Sequence, residues 1–142
     1  MDLEQLQLEA DKDLKINDTE LDLESLKTPQ LHNKYMKHLT KFKLLLSKAE
    51  TDYSTMKRDK WEYYTGKAPA EVYEKEPFDY KVREKDAIQR HLDADEKLTT
   101  IDLKIRYYDV QLKFLEEIIK TVANRTFQIK NAIEWQKFQA GF

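Results

Sequence analysis

Apolar residues recur at intervals of three and four from Leu31 through Tyr35, Leu39, Phe42, Leu46 and Ala49 to Tyr53. That spacing lines one face of an α-helix. Thr28 can cap such a helix, and Pro29 suits the first helical position, where a missing N–H costs nothing. No Gly or Pro follows until Gly66, a residue suited to the position just past a helix end. The pattern predicts one helix over residues 29–65, about 55 Å long at ~1.5 Å per residue.

The last third of the chain carries a more regular signal. Leu98, Ile101, Ile105, Tyr108, Leu112, Leu115, Ile119, Val122, Thr126, Ile129 and Ile133 follow alternating steps of three and four, uninterrupted by Gly or Pro. A sustained seven-residue repeat of this kind is the mark of a coiled-coil seam. It predicts a helix over 94–139. The segment "KAPAEVYEKEPFDY", with Pro69 and Pro77, reads as a loop. A shorter helix over 79–92 would turn Val82, Ile88 and Leu92 inward. Ahead of all this, Leu3, Leu6, Leu14, Ile16, Leu21, Leu23 and Leu26 suggest a short helix and an irregular strap.

The expected fold is therefore all-α: a long antiparallel helical hairpin with a coiled-coil-like seam, plus a short N-terminal helical segment. Residues 1–67 hold the acidic segment and first long helix, 68–93 the loop and short helix, and 94–142 the second long helix. A hairpin cannot enclose all of its own apolar surface. Phe114, Ile118, Phe127, Trp135 and Phe138 lie off the strict seam, and some of them are expected to pack on neighbouring subunits. The competing reading is a single bundle with the N-terminal segment folded over this surface.

Composition removes several classes of function. There is no Cys, which excludes disulfides and thiolate metal sites. The acidic start "MDLEQLQLEADKD" lacks the apolar stretch of a signal peptide. No apolar run approaches the ~20 residues of a membrane span. An intracellular protein with no membrane association is expected. No Gly-rich phosphate loop occurs. The three histidines, His32, His38 and His91, have no spacing that puts two on one helix face. Glu116–Glu117 and Asp93/Asp95/Glu96 read as solvated helix faces. Ser25, Ser47 and Ser54 lack a positioned base. No enzymatic activity, metal or cofactor is expected.

The net charge of −2 hides a pattern. Residues 1–33 carry −6, 34–67 carry +5, 68–103 carry −4 and 104–142 carry +3. Alternating blocks suit segments with different partners, or blocks that face one another within or between subunits. The basic block ends in "MKRDKWEYYTGK", residues 56–67, where Lys57, Arg58, Lys60 and Lys67 surround Trp61, Tyr63 and Tyr64. With Tyr53 at 0° and ~100° per residue, Lys60 falls near −20°, Tyr64 near +20° and Lys57 near +40°, all close to the seam. Arg58 lies at about +140°. Unpaired lysines are costly to bury, so the dry core is expected to end by residue 57 while the rings continue. Rings and cations in a wet position suit single-stranded nucleic acid, with bases stacking on rings and cations tracking phosphates. The alternative is a helix end whose rings pack on the following loop while the lysines snorkel. A membrane-surface helix is opposed by the interleaved Asp59 and Glu62.

Four stretches together resemble one known family. They are "LEQLQ" at 3–7 with "KD" at 12–13, "RDKWEYYTG" at 58–66, "LDADEKL" at 92–98 and "NRTFQIKNAIEWQKFQAG" at 124–141. In unbroken order they are similar to the UvsY family, the recombination mediators of T-even-like bacteriophages. The resemblance implies a non-enzymatic protein acting in the cytoplasm of an infected bacterium. It implies binding to single-stranded DNA, to the phage recombinase and to the phage single-stranded DNA-binding protein, and help for the recombinase in replacing the latter. It implies ring-like, heptameric homo-oligomers assembled through the C-terminal region. Carried onto this chain, the DNA-contacting basic pair falls on Arg58 and Lys60, within a set of Lys57, Arg58, Lys60, Trp61, Tyr63, Tyr64 and Lys67. The oligomerisation set is Leu112, Leu115, Ile119, Val122, Phe127, Ile129, Ile133, Trp135 and Phe138. Without nucleic-acid binding, the same features would describe an oligomeric coiled-coil scaffold.

Overall fold

The computed structural model describes residues 1–142 as five α-helices with no strand: α1 (Leu3–Asp13), α2 (Leu21–Tyr64), α3 (Ala70–Lys75), α4 (Lys85–Asp93) and α5 (Glu96–Gln139). The chain divides into a terminal unit, residues 1–43 with 110–142, and a central unit, residues 44–109. Within each unit α2 and α5 run antiparallel to each other, as the seam patterns predict.

In the terminal unit the expected short N-terminal helix is α1, and it is docked against α2. Asp2 and Gln5 form a capping box: the Asp2 carboxylate accepts from the Gln5 N–H at 2.8 Å, and the Gln5 side chain accepts from the Asp2 N–H at 2.9 Å. Two free N–H groups of the first turn are thereby satisfied. Leu6 and Ala10 are buried. Lys34 of α2 lies 2.6 Å from both Glu9 and Asp13 of α1, and the Tyr35 hydroxyl donates to Asp13 at 2.8 Å. Part of the acidic N-terminal block is thus neutralised inside the chain.

α2 begins at Leu21, eight residues before the expected start, and holds Pro29 inside it. Proline within a helix removes one hydrogen bond and typically costs ~3 kcal/mol. The turn ahead of it is held by tertiary contacts. Leu21 and Glu24 are buried. The Arg125 guanidinium of α5 pairs with the Glu24 carboxylate, donates to the Glu24 carbonyl at 3.0 Å and donates to the Thr28 hydroxyl at 3.2 Å. The α5 seam also differs in phase from the strict repeat. Leu112, Leu115, Ile118, Val122, Arg125 and Ile129 are buried, while Ile119 is half-buried and Thr126 exposed. Ile118, expected off the seam, is core.

In the central unit the segment 68–93 is more ordered than expected. Part of the expected loop is the short helix α3, and the helix expected over 79–92 begins at Lys85. Val82 is buried as expected, but in the stretch ahead of α4 rather than on a helix.

Candidate nucleic-acid interface

The C-terminal turn of α2 closes on Gly66. Its φ of +79° is the left-handed conformation that glycine adopts without strain. The Lys67 N–H donates to the Glu62 carbonyl at 2.8 Å and the Gly66 N–H to the Tyr63 carbonyl at 3.3 Å, the paired bonds of a Schellman cap. The cap turns the chain back, so that the Val82 N–H reaches the Tyr64 carbonyl at 2.9 Å. The side chains of residues 56–67 are sorted by this return.

One side of the helix end faces inward. The Tyr63 hydroxyl donates to the Glu76 carbonyl at 2.9 Å, and its ring stacks on Tyr73 at 5.4 Å. The Tyr64 hydroxyl donates to Asp95 at 2.6 Å. Phe78 lies 5.3 Å from both rings, and His91 lies 5.1 Å from Tyr64. Lys60 is the unexpected member. Its side chain is 11 % exposed, and its ammonium sits 3.2 Å from Asp95 and 3.9 Å from Glu76, 5.2 Å from the centre of the Tyr63 ring. The seam therefore stays largely buried beyond residue 57. A lysine is buried there because two carboxylates and a ring face compensate its charge, which unpaired burial would not allow.

Asp95 ties this arrangement to the start of α5, where its other oxygen accepts the Leu98 N–H at 3.0 Å. Desolvation works to raise its pKa, but the Tyr64 hydroxyl, the Leu98 N–H and the Lys60 ammonium outweigh it, and the carboxyl is held below its usual range. Burial, reinforced by the Asp95 charge, pushes the Tyr64 hydroxyl well above the ordinary tyrosine value. Lys60, Tyr63, Tyr64, Glu76, Phe78 and Asp95 border a cleft of about 460 Å³.

The other flank faces solvent. On the same helical wheel Lys57, Trp61 and Arg58 lie at about +40°, +80° and +140°, within ~100° of arc. All are exposed, as is Lys67. The Lys67 ammonium stands 4.6 Å from the centre of the Trp61 ring. Arg58 contacts only its neighbour Asp59, at 3.1 Å, in a pair open to water on both sides. Such pairs stabilise little and exchange readily.

The expected DNA-binding residues thus divide: Lys57, Arg58, Trp61 and Lys67 outward, Lys60, Tyr63 and Tyr64 inward. Of the residues expected at subunit contacts, Leu112, Leu115, Val122 and Ile129 lie in the terminal unit's core, and Ile119 and Ile133 are half-buried. Phe127, Trp135 and Phe138 are exposed, with the last two rings stacked at 5.6 Å. Asp95, read from the sequence as part of a solvated face with Asp93 and Glu96, is instead buried, while those two are exposed; Arg125 is a structural charge that the apolar pattern did not reveal. Asp95 stands three residues before Leu98, a helix-start signature. No group of three or more His, Asp or Glu side chains converges as a metal site would require, and no helix is long and apolar enough to cross a membrane.

A family model described as "Recombination, repair and ssDNA binding protein UvsY" matches residues 9–142. The chain is 25% identical over 141 residues to the recombination protein uvsY of Enterobacteria phage T4, covering 99% of each chain. It is also similar to crystal structures of the bacteriophage T4 recombination mediator protein UvsY. One lattice form gives a TM-score of 0.84 at 25% identity over 99% of both chains. Another gives 0.83 at 22% identity, over 98% of this chain and 99% of that one. The family match runs through the helix end that carries the outward cations and through the whole of α5, and the chain belongs to the UvsY family.

Proposed function

We propose that the chain is a recombination mediator that grips single-stranded DNA with the outward flank of the α2 end. Lys57, Arg58 and Lys67 contact phosphates, and Trp61 offers a ring to the bases. The observation that carries this reading is the sorting of the motif. Lys60, Tyr63 and Tyr64 satisfy one another and Asp95 inside the fold, which leaves the exposed cations and Trp61 without a structural task of comparable weight. Lys60 then acts as a positioning residue that fixes the helix end. Sequence-independent binding follows, because phosphate contacts and stacking read no base identity.

One such patch binds weakly. Several copies on a ring-like homo-oligomer bind by avidity, through effective concentration rather than new contacts. Phe127, Trp135 and Phe138 are the residues from the expected set that remain available for that assembly, and the family resemblance supports a heptamer. A multivalent ring holding the strand would weaken the grip of a resident single-stranded DNA-binding protein and present the strand to the recombinase. No covalent step is required.

The test uses Trp61 fluorescence in a Trp135→Phe background, so that the probe is the ring at the patch. Adding a short oligonucleotide at low salt should quench the emission, and raising salt should restore it. Lys57→Ala with Arg58→Ala should abolish the quench while light scattering still reports the assembled particle. An assembled protein whose Trp61 emission ignores DNA would favour the scaffold reading.

A further inference from the structure

The segment that returns past Gly66 carries a ring and two cations outside the motif. It is anchored at two points. Phe78 sits among Tyr63, Tyr64 and His91, with ring centres at 5.3, 5.3 and 5.9 Å. Val82 is buried and bonded through its N–H to Tyr64. Between these anchors Tyr80 projects outward, 73% exposed, 6.2 Å from the Phe78 ring. A tyrosine so exposed beside a packed aromatic cluster contributes little to the fold.

Lys81 and Arg83 flank Val82, exposed and outside any ion pair. The Lys81 stem runs along Gly66, where a Cβ would come 2.8 Å from its Cγ. Lys81 is therefore next to the turn that carries Lys67. Tyr80, Lys81, Arg83 and His91 line a groove of about 290 Å³, with Glu84 its one carboxylate. That volume is near the lower end of the ~300–1,000 Å³ typical of small-ligand pockets.

We propose that this groove is a second nucleotide subsite. Tyr80 and His91 flank a base, Lys81 and Arg83 take the adjoining phosphates, and the strand continues from Lys67 across Gly66 into the groove. The proposal rests on the single-stranded DNA reading above and extends its footprint from the helix end to the returning segment.

The test compares Lys81→Gln/Arg83→Gln, Tyr80→Ala and Lys57→Gln/Arg58→Gln, each with assembly checked by light scattering and folding by thermal melt. Anisotropy titrations of labelled oligo-dT at several salt concentrations are the readout. Replacing Lys81 and Arg83 should lower the slope of log K against log salt by about 0.7 for each phosphate no longer neutralised. Tyr80→Ala should weaken binding about tenfold at unchanged slope. If both groove variants bind as the unaltered protein does while Lys57→Gln/Arg58→Gln lowers the slope, the subsite is wrong and the helix-end reading stands. If the groove variants alone change binding, the subsite stands and the helix-end reading falls. Unchanged binding in all three removes both.

Discussion

Each unit buries one cation beside a carboxylate, and the two sites differ in kind. Arg125 in the terminal unit is 2% exposed, and its forked guanidinium reaches a carboxylate, a carbonyl and a hydroxyl, all from α2. Lys60 in the central unit is a point charge between Asp95 and Glu76, at the wall of an open cleft. The first is a pair buried on both partners and locks a helix turn ahead of a proline. The second anchors a helix end whose far flank carries cations in water. Membership of a basic motif therefore does not make a cation a ligand group. Burial and compensation turn Lys60 into a structural charge, while Arg58, two residues away, remains a surface one.

The largest effect is expected in the terminal unit. Arg125→Ala leaves the buried Glu24 carboxylate with only the exposed Lys27 ammonium, 3.0 Å away, and should cost about 3–4 kcal/mol in urea unfolding. Arg125→Lys should recover only part of this, because an ammonium cannot reproduce the fork. Lys60→Ala should cost less, about 2–3 kcal/mol, since its site opens onto water and Tyr64 still holds Asp95. An Arg125→Ala protein as stable as the parent would mean that the α2 start is held by something other than this pair.

Acid acts on both sites, since the Lys27 and Arg125 charges hold the Glu24 carboxyl below its usual range as well. The folded-state pKa of Asp95 is depressed below its unfolded value. Its contribution is therefore fully present above the unfolded pKa, ~3.9, and is lost as pH falls through the lower folded value. Asp95→Asn should melt earlier than the parent at neutral pH, and the difference should shrink on acidification below about pH 4. A gap that stays constant down to pH 2 would contradict the assignment. The smallest stability effect belongs to the outward cations: Lys57→Ala and Arg58→Ala should each stay within about 0.5 kcal/mol in the same melts.

The long helices and the Gly66 stop were legible because spacing and a left-handed glycine are local signals. What escaped was long-range. Pro29 reads as a helix start from its neighbours alone, and only Arg125, nearly a hundred residues later, explains why the helix begins at Leu21. The seam phase at Ile118 and Arg125 is set by what faces it, which a strict repeat cannot reveal. In the site, rings and cations were evident in the sequence, but their sorting was not. A wheel places Lys60 on the seam, and the carboxylate that makes this tolerable lies across the returning chain at Asp95.

In the division of labour proposed for the motif, Lys60 positions while Lys57 and Arg58 touch phosphate. The most direct test is the salt dependence of single-stranded DNA binding by Lys60→Met/Asp95→Asn, which removes both buried charges together, beside Lys57→Gln/Arg58→Gln. The buried-pair variant, once folded and assembled, should keep the parental slope. The slope of the surface variant should fall by about 0.7 for each phosphate it no longer neutralises. A buried-pair variant whose slope falls as far as that of the surface variant would contradict this division.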